Sequence, residues 1–218
     1  MLKKLLFTTL AICLFSLPVF AAGEYKKPED MDWKWEGLLG TYDKAALQRG
    51  YQVYQQVCAA CHSMDYLYYR HLQDVGYNEE EVKAIASQFL VEDGPNDEGE
   101  FFERPAKPSD KFKKPYKNHQ QAAYLNNGKV PPDMSLIVAS RKGGADYIHA
   151  LLTGYEEAPA DMDVPQGVYY NPYFPGKLIG MAPPLVADGQ IAYKDDTEAT
   201  VEQMSRDVTH FLKWASDP

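Results

Sequence analysis

Cys58-Ala59-Ala60-Cys61-His62 decides how this chain is read. It spells C-x-x-C-H, the pattern that attaches haem c covalently. Positions i, i+3 and i+4 share one face of a helix. Two thiols can therefore reach the two vinyl groups of a haem while the imidazole reaches its iron. Two close cysteines also occur in redox dithiols and in halves of zinc sites. The first use wants a βαβ context and the second wants two further ligands; His62, directly after Cys61, favours haem over both.

Outward from that stretch, Leu47, Gly50, Tyr54, Val57 and Cys61 recur at three- and four-residue steps and predict a helix over 43–61. A helix is expected at Glu79–Phe89, with Val82, Ile85, Ala86 and Phe89 on one side, and a short one at Asp146–Leu152 ending near Gly154. Thr200 and Gln203 have capping-box spacing. Behind them Val201, Met204, Val208, Phe211, Leu212 and Ala215 form an apolar stripe, the clearest helix in the chain. Residues 23–40 read as irregular, with Trp33 and Trp35 as anchors. Residues 91–135, broken by six prolines, and 155–196 read as loop.

With 45% of its 218 residues hydrophobic, the chain can bury one core of ordinary size. Sixteen tyrosines within 13% aromatics suit walls around a large flat cofactor. Residues 1–21 read as an export signal: Lys3 and Lys4, then the apolar run Leu5 to Phe20, then the small-residue site Val19-Phe20-Ala21. The expected division is signal 1–21 and haem domain 22–218. Cleavage removes Cys13 and takes the formal charge from −9 to −11 as Lys3 and Lys4 leave. So acidic a surface argues against nucleic acid and anionic lipid and suits a basic protein partner. The signal lacks the Arg- and Ser-rich character of a mitochondrial presequence, so the periplasmic side of a bacterial inner membrane is the expected address. No apolar run of 18 or more follows it.

A sixth iron ligand would make an electron carrier, and an open position would suit gas binding or peroxidase chemistry. Met64 is too near His62 to reach the opposite face, and Met204 lies on the apolar stripe, where methionine fills core. His149 and His210 fall on helices, where a lone histidine is more often a satisfied residue. Met134, after Pro131-Pro132-Asp133, and Met181, in Ile179-Gly180-Met181-Ala182-Pro183-Pro184, remain. Met181 ranks first, because Gly180 lets the backbone turn close to a ring and the prolines hold an extended strand.

The chain resembles the cytochrome c1 family, the haem subunits of the cytochrome bc1 complex (ubiquinol–cytochrome c oxidoreductase), over roughly residues 30–218. The likeness is carried by Arg49 to Tyr54, Cys58 to Tyr66, Tyr69 to Leu72, Asp93 to Asn96 and Asn126 to Gly128 leading to Pro131-Pro132-Asp133. It continues through Leu151 to Tyr155, Asn171-Pro172-Tyr173-Phe174-Pro175-Gly176, Ile179 to Pro184 and Phe211 to Ala215. The resemblance implies a mainly α, class I cytochrome c-like domain with long loop insertions, its 43–61 helix packed across the 200–215 helix. It implies one covalent haem c with His62 and Met181 as axial ligands and Arg141 and Tyr147 at the propionates. Asn126, Pro132, Leu151, Leu152, Phe174, Ile179 and Pro184 would line the pocket. It implies a redox subunit without acid–base or nucleophile chemistry of its own, working with cytochrome b and a Rieske iron–sulfur protein in a dimeric complex and delivering electrons to a cytochrome c. The family carries a membrane helix after the segment matching Trp214 to Pro218; the present sequence stops at Pro218, so that anchor is expected to be absent from it.

The attachment spacing generates a direct test. Replacing both Cys58 and Cys61 by alanine should abolish the haem-stained band on a denaturing gel, and a band that survived would exclude covalent attachment through this motif.

Overall fold

The computed structural model describes residues 25–217; the expected export signal at 1–21 lies outside them. Asp43 starts the first helix by accepting hydrogen bonds from the backbone N–H groups of Ala45 and Ala46 (3.0 and 3.3 Å), as an N-cap carboxylate should. Helix α1 then runs Lys44–Gln56. It stops short of the expected end: after Val57 the chain tightens into a 3-10 turn over Cys58–Ala60. Periodicity cannot separate the two, because small residues such as Ala59 and Ala60 fit either helix and 3-10 turns commonly finish α-helices.

The last helix, α6 (Val201–Ala215), crosses α1 and carries the fully buried Met204, Val208, Phe211 and Leu212. Gly50 makes the crossing possible: a Cβ there would lie 2.0 Å from the Asp207 carbonyl oxygen and 2.7 Å from Phe211 Cβ. Beside it Arg49 grips the buried Asp207 through Nε (2.8 Å) and Nη2 (3.1 Å), and reaches Asp195 through Nη1 (2.7 Å). Thr200 caps α6 by accepting from Gln203 N (3.1 Å). The expected box is half made, because the Gln203 side chain donates to Asp207 (3.0 Å) instead of turning back.

Helix α5 (Gly144–Thr153), two residues longer at its start than expected, ends at Gly154 and lies against α6. His149 Nδ1 meets Ser205 Oγ at 2.9 Å and its Nε2 meets Glu202 at 3.1 Å. The irregular amino-terminal segment is pinned to α5 where Trp33 Nε1 donates to Asp146 (2.6 Å), with Trp35 stacked on Trp33. Tyr51, Tyr54, Tyr69, Phe112 and Phe211 form an aromatic cluster on the opposite flank of α1.

The remaining helices are α2 (Leu72–Val75), α3 (Glu79–Ala86) and α4 (His119–Leu125). Asn78 and Glu81 complete a capping box on α3, and Asn118 caps α4. Two regions expected as loop contain more order. Residues 90–105 form a hairpin, β1 (Leu90–Asp93) antiparallel to β2 (Phe102–Pro105), and β3 (Tyr169–Tyr170) pairs with β4 (Leu178–Ile179). Dense acids hid the first pair, and the second is too short for alternation to register. The architecture is the mainly α, cytochrome c-like one, and among the described residues no helix is long and apolar enough to cross a membrane.

Gly50→Ala should destabilise the fold by about 1–3 kcal/mol from overpacking, although alanine is the better helix former. At roughly 2–4 °C per kcal/mol for a domain of this size, a thermal melt would read it. An unchanged melting temperature would mean that the helices do not approach this closely.

Candidate haem site

The turn after α1 gathers the attachment residues. Both Cys61 N and His62 N donate to the Cys58 carbonyl (3.0 and 2.9 Å), which stacks positions 58, 61 and 62 on one face of a tight turn rather than along an α-helix. Both cysteines are free thiols. Cys58 is buried, and burial, with the neighbouring Cys61, pushes its thiol up to about 12. Cys61 borders a cavity of about 230 Å³ walled by Lys114, Tyr116, His119, Val130 and Pro131. Tyr116 contacts Cys61 through its hydroxyl, and that hydroxyl accepts from Asn126 Nδ2 (3.0 Å).

His62 is half-buried, and its Nδ1 sits 2.8 Å from the Pro132 carbonyl. A carbonyl only accepts, so Nδ1 carries the proton and the Nε2 lone pair is left for a metal. Burial lowers the imidazole pKa, against the opposing pull of the Pro132 carbonyl and Asp133, and keeps the ring in the neutral form that a ligand requires. Tyr54 donates to the His62 carbonyl (3.2 Å), tying the turn to α1.

The two methionine candidates for the opposite ligand sit on different segments. Met134 N donates to Ser63 O at 2.8 Å, so Met134 belongs to the strand that backs His62. Met181 is half-buried against the core, and its carbonyl accepts from Tyr155 OH (3.0 Å). Gly180 is in close contact with the Lys129 stem, where a Cβ would meet Lys129 Cδ at 2.0 Å. Met204, His149, His210 and His71 are engaged elsewhere. Met204 is core, and His149 is bound by Ser205 and Glu202. His210 accepts from Asp43 N (3.2 Å), and burial pushes it down to about 4. His71 accepts from Tyr68 N (3.3 Å).

The remaining expected residues fall into groups. Leu152 and Ile179 are buried, with Leu151, Phe174 and Pro184 half-buried. Asn171, wholly buried, donates to the Leu151 carbonyl (2.8 Å) and accepts from Tyr173 N (3.1 Å), so it fastens the Pro172–Gly176 turn to α5. Tyr147 is buried on α5, where burial raises its pKa and the Arg141 charge opposes the rise. Arg141 itself is exposed, with Nη1 3.3 Å from Ser140 Oγ. Pro132 is also exposed, and what it offers the site is its carbonyl rather than its ring. Tyr116, Tyr155 and Asp133 were not anticipated. Tyr155 and Asp133 stand in quoted motifs, but their contacts reach 26 and about 70 residues away, and no local pattern announces such partners.

Two free thiols, an imidazole with its lone pair available and a thioether held on a braced backbone are a donor set that fits covalent haem c. A mainly α domain that builds this set on a C-x-x-C-H turn is a c-type cytochrome.

Comparison with known proteins agrees and goes further. The model of the Cytochrome C1 family matches residues 33–218. The chain is 52% identical over 186 residues to the protein named cytochrome c1-2, heme protein, mitochondrial, of Solanum tuberosum, covering 85% of this chain and 71% of that one. It is 47% identical over 192 residues to the cytochrome b-c1 complex catalytic subunit, mitochondrial, of Candida albicans (88% and 66%). It is 43% identical over 214 residues to cytochrome b/c1 of Bradyrhizobium diazoefficiens (88% and 31%). The chain belongs to the cytochrome c1 family. Haem c is accordingly its cofactor and electron transfer its work. It spans 58–71% of the length of the plant relatives it matches.

Proposed function

We propose that this chain is the haem-bearing relay of a bc1 complex, taking single electrons from a Rieske iron–sulfur protein and passing them to a basic cytochrome c. In this reading it sits beside cytochrome b in a dimeric assembly, on the periplasmic side of a bacterial inner membrane. The observation that carries the redox reading is the His62–Pro132 hydrogen bond, which prepares one imidazole nitrogen for iron. Relatives named as a b-c1 complex subunit and as cytochrome b/c1 support the assembly.

Cys58 and Cys61 would hold the group through thioethers, and His62 and Met181 would be the side chains that ligate its iron. Arg141 and Tyr147 would meet the propionates, while Asn126, Pro132, Leu151, Leu152, Phe174, Ile179 and Pro184 would line the pocket. When bound, the haem supplies a one-electron couple whose oxidised state carries one more positive charge. The chain's residues then bias that couple. Histidine–methionine ligation raises the potential. Buried Leu152 and Ile179 raise it further, since low dielectric disfavours the added charge. Tyr155 fixes the backbone that presents Met181, which limits the rearrangement each electron would demand.

The acceptor side rests on the β1–β2 hairpin. Glu92, Asp97, Glu98, Glu100 and Glu103 are exposed, and Glu92 stands directly opposite Glu103. Like charges across a strand pair cost stability, an arrangement suited to receiving a cation from outside. Asp93 is set apart, because Arg104 pairs with it and with Asp110 (2.6 Å to the latter). Two of the lysines that follow in sequence are engaged elsewhere: Lys114 pairs with Asp65 (2.7 Å) and Lys111 lies over the Tyr68 ring.

Met181→Leu should retain haem, lose the methionine–iron charge-transfer band and lower the potential. The same losses in Met134→Leu would transfer the ligand role to Met134. Neutralising Asp97, Glu98, Glu100 and Glu103 together should slow oxidation by a basic cytochrome c at low salt. The gap should close as the Debye length falls towards ~8 Å; superimposable stopped-flow rates at every ionic strength would remove the hairpin from the docking surface.

A further inference from the structure

Asp133 lies at the centre of the contacts that back His62. Its Oδ2 accepts from Ser63 Oγ (2.8 Å) and from Asp65 N (2.7 Å), and its Oδ1 accepts from Ser135 N (2.9 Å). On either side, Pro132 O receives His62 Nδ1, Met134 N donates to Ser63 O, and Tyr66 N donates to Ser135 Oγ (3.1 Å). Residues 62–66 and 132–135 are thus zipped together, and Ser135 is wholly buried, with its carbonyl receiving Ser216 Oγ from the end of α6 (3.3 Å). The peptide that aims the Pro132 carbonyl is held by the very next side chain.

The charge balance is uneven. Lys114 neutralises Asp65, whereas the donors on Asp133 are hydroxyl and backbone N–H groups, and the ion pairs among the described residues include none to it. Burial pushes the Asp133 carboxyl up, but the hydrogen bonds from Ser135, Asp65 and Ser63 outweigh it and hold the carboxyl below its ordinary value. It is an anion fixed between the residue that follows His62 and the peptide whose carbonyl His62 meets.

We propose that Asp133 is a positioning residue for the His62 imidazole: it locks residues 63–65 to the Pro132 peptide, sets the ring plane, and holds the haem potential lower than a neutral residue at this position would. This rests on His62 being the haem ligand, as proposed above. The positive charge gained on oxidation is stabilised by a nearby anion whose donors are all neutral. An orienting partner of a ligating histidine tunes the metal in the same way.

The test uses the holoprotein, with redox titration and the ferric NMR spectrum, in which the order of the haem methyl shifts reports the imidazole plane. Asp133→Asn removes the charge and turns an amide towards groups that donate. It should disfavour oxidation by about tenfold, an upward shift of about 59 mV for one electron, and reorder the methyl shifts. Asp133→Glu, which keeps the charge, should return the potential most of the way while leaving the shifts altered. Ser63→Ala, which removes one donor and no charge, should move the shifts at a nearly constant potential. An Asp133→Asn protein with wild-type potential and wild-type shifts would overturn the proposal. Should that variant fail to keep haem, Ser63→Ala decides: moved shifts support the positioning role, and unmoved shifts overturn it. A fault in the ligand assignment would show separately, since the wild-type spectrum would then lack the strongly shifted ring signals of a ligating His62.

Discussion

The approach of α1 to α6 at Gly50 is the constraint on which the other parts of this fold depend. With no side chain at that point the Asp207 carbonyl comes to within a carbon's distance of the α1 backbone, so the Arg49 fork can close on Asp207 beneath it. The same crossing sets Phe211 against Tyr51 and Tyr54, and α1 in turn delivers the chain into the turn that holds Cys58, Cys61 and His62. A shift of α6 would be felt at the far end of α1, where Tyr54 supports the His62 carbonyl. α6 also braces the second segment of the site directly, through Ser216 and Ser135.

The site divides its labour between backbone and side chain. His62 is aimed by a carbonyl and Met181 is held by its own carbonyl, which Tyr155 grips. Such contacts are short and have little freedom, which suits a centre that must change charge without changing shape. The long insertions supply these braces: Pro131–Ser135 beside the histidine, and Tyr155 at Met181. In a chain rich in proline and glycine the loops are therefore part of the binding site and not mere connections.

What could be read from the residues followed their range of action. Periodicity over many residues located α1, α5 and α6, and Thr200 marked the start of the last one correctly. Its partner Gln203 illustrates the limit: the spacing of a capping box is local, but Asp207 one turn on competes for the same side chain and wins it. The C-x-x-C-H motif was legible as chemistry while its conformation, a 3-10 turn, was not. The hairpin at 90–105 was concealed because its alternation runs through acids that read as an exposed loop. Met134 and Met181 could be ranked, but the bond that ties Met134 to Ser63 spans 71 residues and has no local signal. Tyr116 and Asp133 act through contacts of that same long reach.

The burial of Cys58 bears on the order of events during maturation. In the folded chain its thiol is enclosed and burial pushes it up, which disfavours the thiolate, the form that reacts. A finished fold would therefore resist bond formation at this sulfur, and would equally resist a stray disulfide to Cys61. Bond formation at this sulfur is favoured while the chain is open, and folding around a completed thioether would shut it away from solvent.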